Sequence, residues 1–126
     1  MPTIVVAEDD DAIRRMMLVL LRYYGFRVLE ARDGHEAALL CESDLVIDLL
    51  ITDLGMPRMN GHELIARLAS HNDAPRVLVV SGVESAFDVP HLKKPFTPQQ
   101  LRAAVAEALE APPLQIELYT PSYARR

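Results

Sequence analysis

The chain has 126 residues, half of them hydrophobic and a quarter charged, which suits one globular domain with its own core and excludes disordered, collagen-like and membrane classes. A formal net charge of -5 argues against a nucleic-acid backbone as a direct partner. The lone cysteine, Cys41, leaves no internal disulfide, and no charged-then-apolar leader precedes residue 3, so a reducing cytoplasm and no membrane are expected.

Residues 3–7, Thr-Ile-Val-Val-Ala, form a β-branched apolar run that ends in acids, as expected of a strand buried on both faces. From Asp11 onward Ile13, Met16, Met17, Leu20 and Leu21 recur at helical spacing, and Gly25 supplies a stop. Met16 and Met17 read as core residues. Residues 26–31 suggest a second strand, and Asp33 can cap a second helix carrying Ala37, Ala38, Leu40 and Cys41, the last read as core-facing. Residues 45–52 are apolar except for Asp48 and read as a central strand delivering Asp53. Gly55, Pro57, Asn60 and Gly61 then punctuate a loop, and Leu64, Ile65 and Leu68 mark a third helix. Residues 76–80 give a fourth strand ending at Ser81 and Gly82, residues 91–93 a short fifth, and Leu101, Ala104, Val105, Ala108 and Leu109 a last helix. The domain is expected to occupy 1–110. The proline-containing segment 111–126, with Tyr119, Tyr123, Arg125 and Arg126 near its end, reads as a linker or disordered tail.

Strands alternating with helices imply right-handed crossovers and a parallel sheet covered on both faces, with ligands collecting at the strands' carboxyl ends. Glu8 and Asp9, Asp53, Ser81 and Lys94 all fall at such ends. Carboxylates brought together there repel unless they share a cation, and an all-oxygen donor set suits Mg²⁺, with Mn²⁺ as a substitute. Asp53, held by the most apolar strand, is the nucleophile candidate for phosphoryl transfer. The cation and Lys94 would neutralise phosphoryl oxygens, and Ser81 and the backbone N–H groups of Leu54 and Gly82 would orient them. Taken alone, Glu8, Asp9 and Asp10 could be a solvated helix start, and Asp10 and Asp11 fit that role better than metal binding. Lys93 reads as a surface charge, and His35, His62 and His71 have no metal-site spacing.

The segment Val5-Val6-Ala7-Glu8-Asp9-Asp10, the loop 50–61 and Lys93-Lys94-Pro95-Phe96 resemble, in order, the acid pair, phosphoacceptor loop and Lys-Pro-Phe signature of response-regulator receiver domains. The resemblance covers about residues 2–109. It implies a flavodoxin-like, doubly wound five-stranded parallel sheet in the order 2-1-3-4-5 with helices on both faces. It also implies Asp53 as the phosphorylated residue, Asp9 as a direct metal ligand, Glu8 as acting behind the direct ligands or through a water, and the Gly55 carbonyl as completing the site. Lys94 would pair with the phosphoryl group, Ser81 would move toward it, and Pro95 falls at a cis-peptide position. Gly55 and Val83 would flank the path of attacking water.

Two departures stand out. Only twelve residues, 82–93, separate Ser81 from Lys94, where the family fits a loop, a helix and the fifth strand, so the fourth helix is expected to be shortened or absent. His91 stands where the family commonly has an aromatic switch residue. The resemblance implies a histidine kinase or histidine phosphotransfer protein as donor, a downstream protein target, and a monomer or weak homodimer. The position of Met1 suits a stand-alone regulator, with a segment of a larger regulator or hybrid kinase as an alternative. A phosphorylation-independent adaptor is a second reading. A Mg²⁺-dependent phosphotransfer enzyme is a third, disfavoured because neither a second water-activating acid nor a substrate cap is recognisable.

Overall fold

The apolar runs pair in parallel. The structure, a computed structural model, describes residues 1–84 and 88–114. In chain order the elements are β1 (Thr3–Ala7), α1 (Asp11–Tyr23), β2 (Arg27–Ala31), α2 (Gly34–Cys41), β3 (Leu49–Thr52), α3 (Gly61–Ala69), β4 (Arg76–Ser81), β5 (His91–Lys93) and α4 (Pro98–Glu110). The strands form one five-stranded parallel sheet in the order β2-β1-β3-β4-β5, the flavodoxin-like order.

Strand periodicity divides the core into two layers. Ile4, Val6, Leu49, Ile51, Leu78 and Val80 face α1 and α4, meeting Met17, Leu21, Leu101 and Val105. Val5, Ala7, Leu50, Val77 and Val79 face α2 and α3, meeting Ala37, Ala38, Leu64, Ile65 and Leu68. Side-chain caps start the helices: Asp10 accepts from Ala12 and Ile13 N–H, Asp33 from Glu36 N–H, and Asn60 and Thr97 form reciprocal capping boxes with Glu63 and Gln100. Helix α1 stops where Gly25 takes φ +95°, a left-handed conformation that a residue with a Cβ resists. No described helix is long and apolar enough to cross a membrane.

The expected strand over 45–52 begins only at Leu49. Leu45 and Val46 are exposed, and the interruption at Asp48 is structural: its carboxylate accepts from Thr3 N–H at 2.7 Å, and its own N–H donates to Thr3 C=O. Phe26, expected at the head of the second strand, instead donates its N–H to Leu21 C=O as the chain leaves α1. Met17 is buried, but Met16 is on the exposed side of α1. Its place on the buried stripe is taken by Arg14, four positions before Leu18 and seven before Leu21. Cys41 is half-buried against the α2–α3 layer, and burial pushes its thiol up to about 12.

None of the described residues between β4 and β5 is helical, as the short spacing implies. The α2–α3 layer is instead extended by the chain beyond α4. Arg76 Nε donates to Ala111 C=O at 2.6 Å, Leu114 N–H donates to Pro75 C=O at 3.3 Å, and the Leu114 side chain is buried in the layer containing Val77. The remainder of the expected tail, including Tyr119, Tyr123, Arg125 and Arg126, lies outside the described residues. Leu114→Ala is expected to cost about 2 kcal/mol of unfolding free energy in urea melts. A melt identical to that of the wild type would show that Leu114 does not close this layer.

Candidate functional site

The parallel register places the carboxyl ends of β1 and β3 side by side. Asp53 N–H donates to Ala7 C=O at 3.1 Å, which sets Asp53 next to Glu8 and Asp9. One ligand oxygen from each of Glu8, Asp9 and Asp53 falls within 4.8 Å of the others. At that separation, each pair of carboxylates repels by about 3 kcal/mol at an effective dielectric of about 20. Lys94 answers part of this repulsion. Its Nζ donates to Glu8 Oε1 at 2.5 Å and Asp53 Oδ2 at 2.9 Å, while Asp9 makes no ion pair among the described residues.

The four groups sit in different environments. Glu8 is buried, Asp53 and Lys94 are mostly covered, and Asp9 is exposed. Burial pushes the Glu8 carboxyl above the usual carboxylate range, against the pull of the hydrogen bonds from Lys94 and the Asp10 amide. Burial alone would lower Lys94, but its bonds to Glu8 and Asp53 outweigh that and hold it above the usual lysine value. Asp53 Oδ1 accepts from the Leu54 amide at 2.6 Å, so both of its oxygens are directed. Ser81 is buried at the end of β4, its Oγ accepts from Val83 N–H at 3.2 Å, and its carbonyl accepts from Lys94 N–H. The Lys94–Pro95 peptide is cis.

The other expected residues take varied positions. Gly55, Gly82 and Val83 lie exposed on loops at this edge, and a Cβ on Gly55 or Gly82 would meet nothing within 4 Å. His91 is exposed at the start of β5, in register with Val79 rather than Ser81, and makes no hydrogen bond or ion pair among the described residues. Lys93 is exposed, as strand alternation implies.

Sequence reasoning missed the supports. Gly61 N–H donates to Leu54 C=O at 2.9 Å, and a Cβ there would stand 2.2 Å from Asp53 C=O, so only glycine lets α3 start this close to the loop after Asp53. Asp33 ties α2 to the same loop: Arg58 Nε donates to its Oδ2 at 2.7 Å, while Gly34 N–H donates to Met59 C=O at 3.1 Å. Arg58 holds a left-handed backbone, φ 64°. Arg14, absent from the sequence reading, is buried with its guanidinium against the Glu8 carbonyl. The available signal was an arginine in helical register with Met17, Leu18 and Leu21.

Residues 4–106 match the family model described as the response regulator receiver domain. The chain belongs to that family, the receivers of two-component signalling. It is 34% identical over 115 residues to the DNA-binding response regulator MtrA of Mycolicibacterium smegmatis, covering 84% of this chain and 50% of that protein. Among solved structures it resembles the receiver domain of the hybrid histidine kinase CckA, with a TM-score of 0.76 and 37% identity over 86% of this chain and 99% of that one. It also resembles the chemotaxis protein CheY4 of Vibrio cholerae, with a TM-score of 0.76 and 26% identity over 86% and 98%. The chain spans about half or less of the length of the curated relatives it matches.

The Glu36 amide and the Arg58 guanidinium hold the Asp33 carboxyl below the usual aspartate range, although burial alone would raise it. A depressed folded-state pKa stabilises the fold above the unfolded value and is lost as pH falls through the folded one. Asp33→Ala is therefore expected to cost about 1–2 kcal/mol at neutral pH, with the difference from wild type narrowing below about pH 4. A gap that stays constant through acid titration of both proteins would show that the Asp33 charge contributes nothing.

Proposed function

We propose that the chain is a phosphoacceptor: Asp53 takes a phosphoryl group from a histidine kinase or histidine phosphotransfer protein, with Mg²⁺, and the phosphorylated form binds a downstream protein differently. The observation that carries this reading is the convergence of Glu8, Asp9 and Asp53 within 4.8 Å, with Lys94 bonded to two of them. The oxygen-only donor set, one member exposed to solvent, fits a hard divalent ion that keeps several waters. Glu8, Asp9, Asp53 and the Gly55 carbonyl would hold it, and Mn²⁺ would substitute. When bound, the ion would supply positive charge against the phosphoryl oxygens.

The chain's own groups would do the rest. An Asp53 carboxylate oxygen forms a bond to phosphorus as the P–N bond to the donor histidine breaks, and the departing imidazole nitrogen takes up a proton. The Leu54 amide, 2.6 Å from Oδ1, steadies the carboxylate. Lys94 passes its hydrogen bond from Asp53 Oδ2 to a phosphoryl oxygen, Gly82 N–H serves a second, and the Ser81 hydroxyl turns toward the group. His91 would report that turn from β5. The domain expected over residues 1–110 extends its packing to Leu114, and the chain serves either as a stand-alone regulator or as part of a longer one. The receiver-fold adaptor remains the second reading, favoured by the short β4–β5 connection, none of whose described residues is helical, which leaves less structure for a phosphoryl group to move.

Intact-protein mass after incubation with acetyl phosphate and Mg²⁺ tests the proposal. One phosphoryl adduct is expected on the wild type, lost with Asp53→Asn and with a chelator. A folded protein that forms no adduct and ignores beryllofluoride would favour the adaptor.

A further inference from the structure

Arg14 is an anomaly on α1. It lies on the helix stripe that buries Met17, Leu18 and Leu21, and is itself only 7% exposed. Its guanidinium serves three acceptors: Nη2 donates to Asp11 Oδ1 at 2.5 Å, Nε to Glu30 Oε2 at 3.1 Å, and Nη1 to the Glu8 carbonyl at 2.8 Å. Two carboxylates neutralise it, so it brings no spare positive charge to the acid cluster. Ion pairs whose carboxylates stand in solvent, as Asp11 and Glu30 do, are also a weak source of stability, and an apolar side chain would fill the buried place on the stripe without the cost of desolvating a guanidinium. What only an arginine supplies there is a braced hydrogen bond to one backbone carbonyl.

That carbonyl belongs to the peptide joining Glu8 to Asp9. Glu8 N–H is already fixed to Ala31 C=O at 3.1 Å. On the other side, Asp10 is fixed by its cap on α1 and by its N–H to Glu8 Oε2 at 3.2 Å. Asp9 between them is exposed and, among the described residues, its side chain has no hydrogen bond or ion pair. The direction of its carboxylate is therefore set by the backbone on either side, and Arg14 is the described side chain that grips this peptide. We propose that Arg14 is a positioning residue for the cation site, holding the Glu8–Asp9 peptide so that the Asp9 carboxylate faces Asp53 before any ion arrives.

The proposal rests on the cluster being a Mg²⁺ site, and calorimetric titration of the full chain with Mg²⁺ separates the two claims. Wild type is expected to bind, and Asp9→Asn to lose binding. Arg14→Met is expected to bind about tenfold or more weakly, and in metal-free protein its Asp9 and Asp10 amides should exchange faster with deuterium. Arg14→Lys, which can reach one acceptor but cannot brace against all three, should fall between. A merely structural role would lower the melting temperature of these variants and leave the Mg²⁺ affinity of the folded protein unchanged. That outcome in Arg14→Met, or in Arg14→Lys if the methionine variant does not fold, overturns the proposal and leaves the Mg²⁺ site standing. A wild type that binds no Mg²⁺ overturns both.

Discussion

One ammonium group between two carboxylates holds the carboxyl edge of the sheet together. Lys94 bonds to Glu8 at 2.5 Å and Asp53 at 2.9 Å, joining the ends of β1 and β3 to the residue that follows β5, on the far side of the sheet. Without that bridge, Glu8 would be a buried carboxylate whose nearest charged neighbours share its sign. Burial already raises its pKa, so loss of the lysine would drive it toward the neutral form. The same bridge fixes which Asp53 oxygen faces the lysine and which faces the Leu54 amide.

The bridge works because the backbone around it is over-determined. The parallel register continues into the Asp53 N–H bond to Ala7 C=O, the Asn60–Glu63 capping box starts α3 directly after the loop that follows Asp53, and Gly61 lets that helix lie against Asp53 C=O. Asp33 and Arg58 tie the loop to α2, and Arg14 ties the acid pair to α1. A site on loops thus gains the precision of the elements beneath it, as a reacting geometry requires.

Much of this was legible in the sequence, and the failures have physical causes. The β-branched run ending in Glu8 and Asp9, the apolar run ending in Asp53 and the Lys94-Pro95 signature pointed to the residues that converge in the candidate site, because buried parallel strands leave a strong pattern and place polar residues at their ends. The length of the third strand was overread, since Leu45 and Val46 look like core yet stand in solvent while Asp48 pairs with the start of β1. Met16 was misread as core and Arg14 overlooked for one reason: apolar periodicity counts methionine as core, passes over arginine, and cannot see three acceptors waiting for a buried guanidinium. Leu114 was read as part of a tail because its partner, the layer containing Val77, is distant in sequence.

The spacing between β4 and β5 gives this receiver its individuality. The acid cluster and lysine are intact at the carboxyl edge, while the chain after α4 packs at the amino end of β4, against Pro75 and Arg76. Reduction of the phosphorylated protein with borohydride, which converts an aspartyl phosphate to homoserine, followed by peptide mass analysis, addresses the chemistry of that cluster directly. Homoserine at position 53 and nowhere else is expected. Reduction at another residue, or none in protein that has taken up phosphate, would contradict the assignment of Asp53.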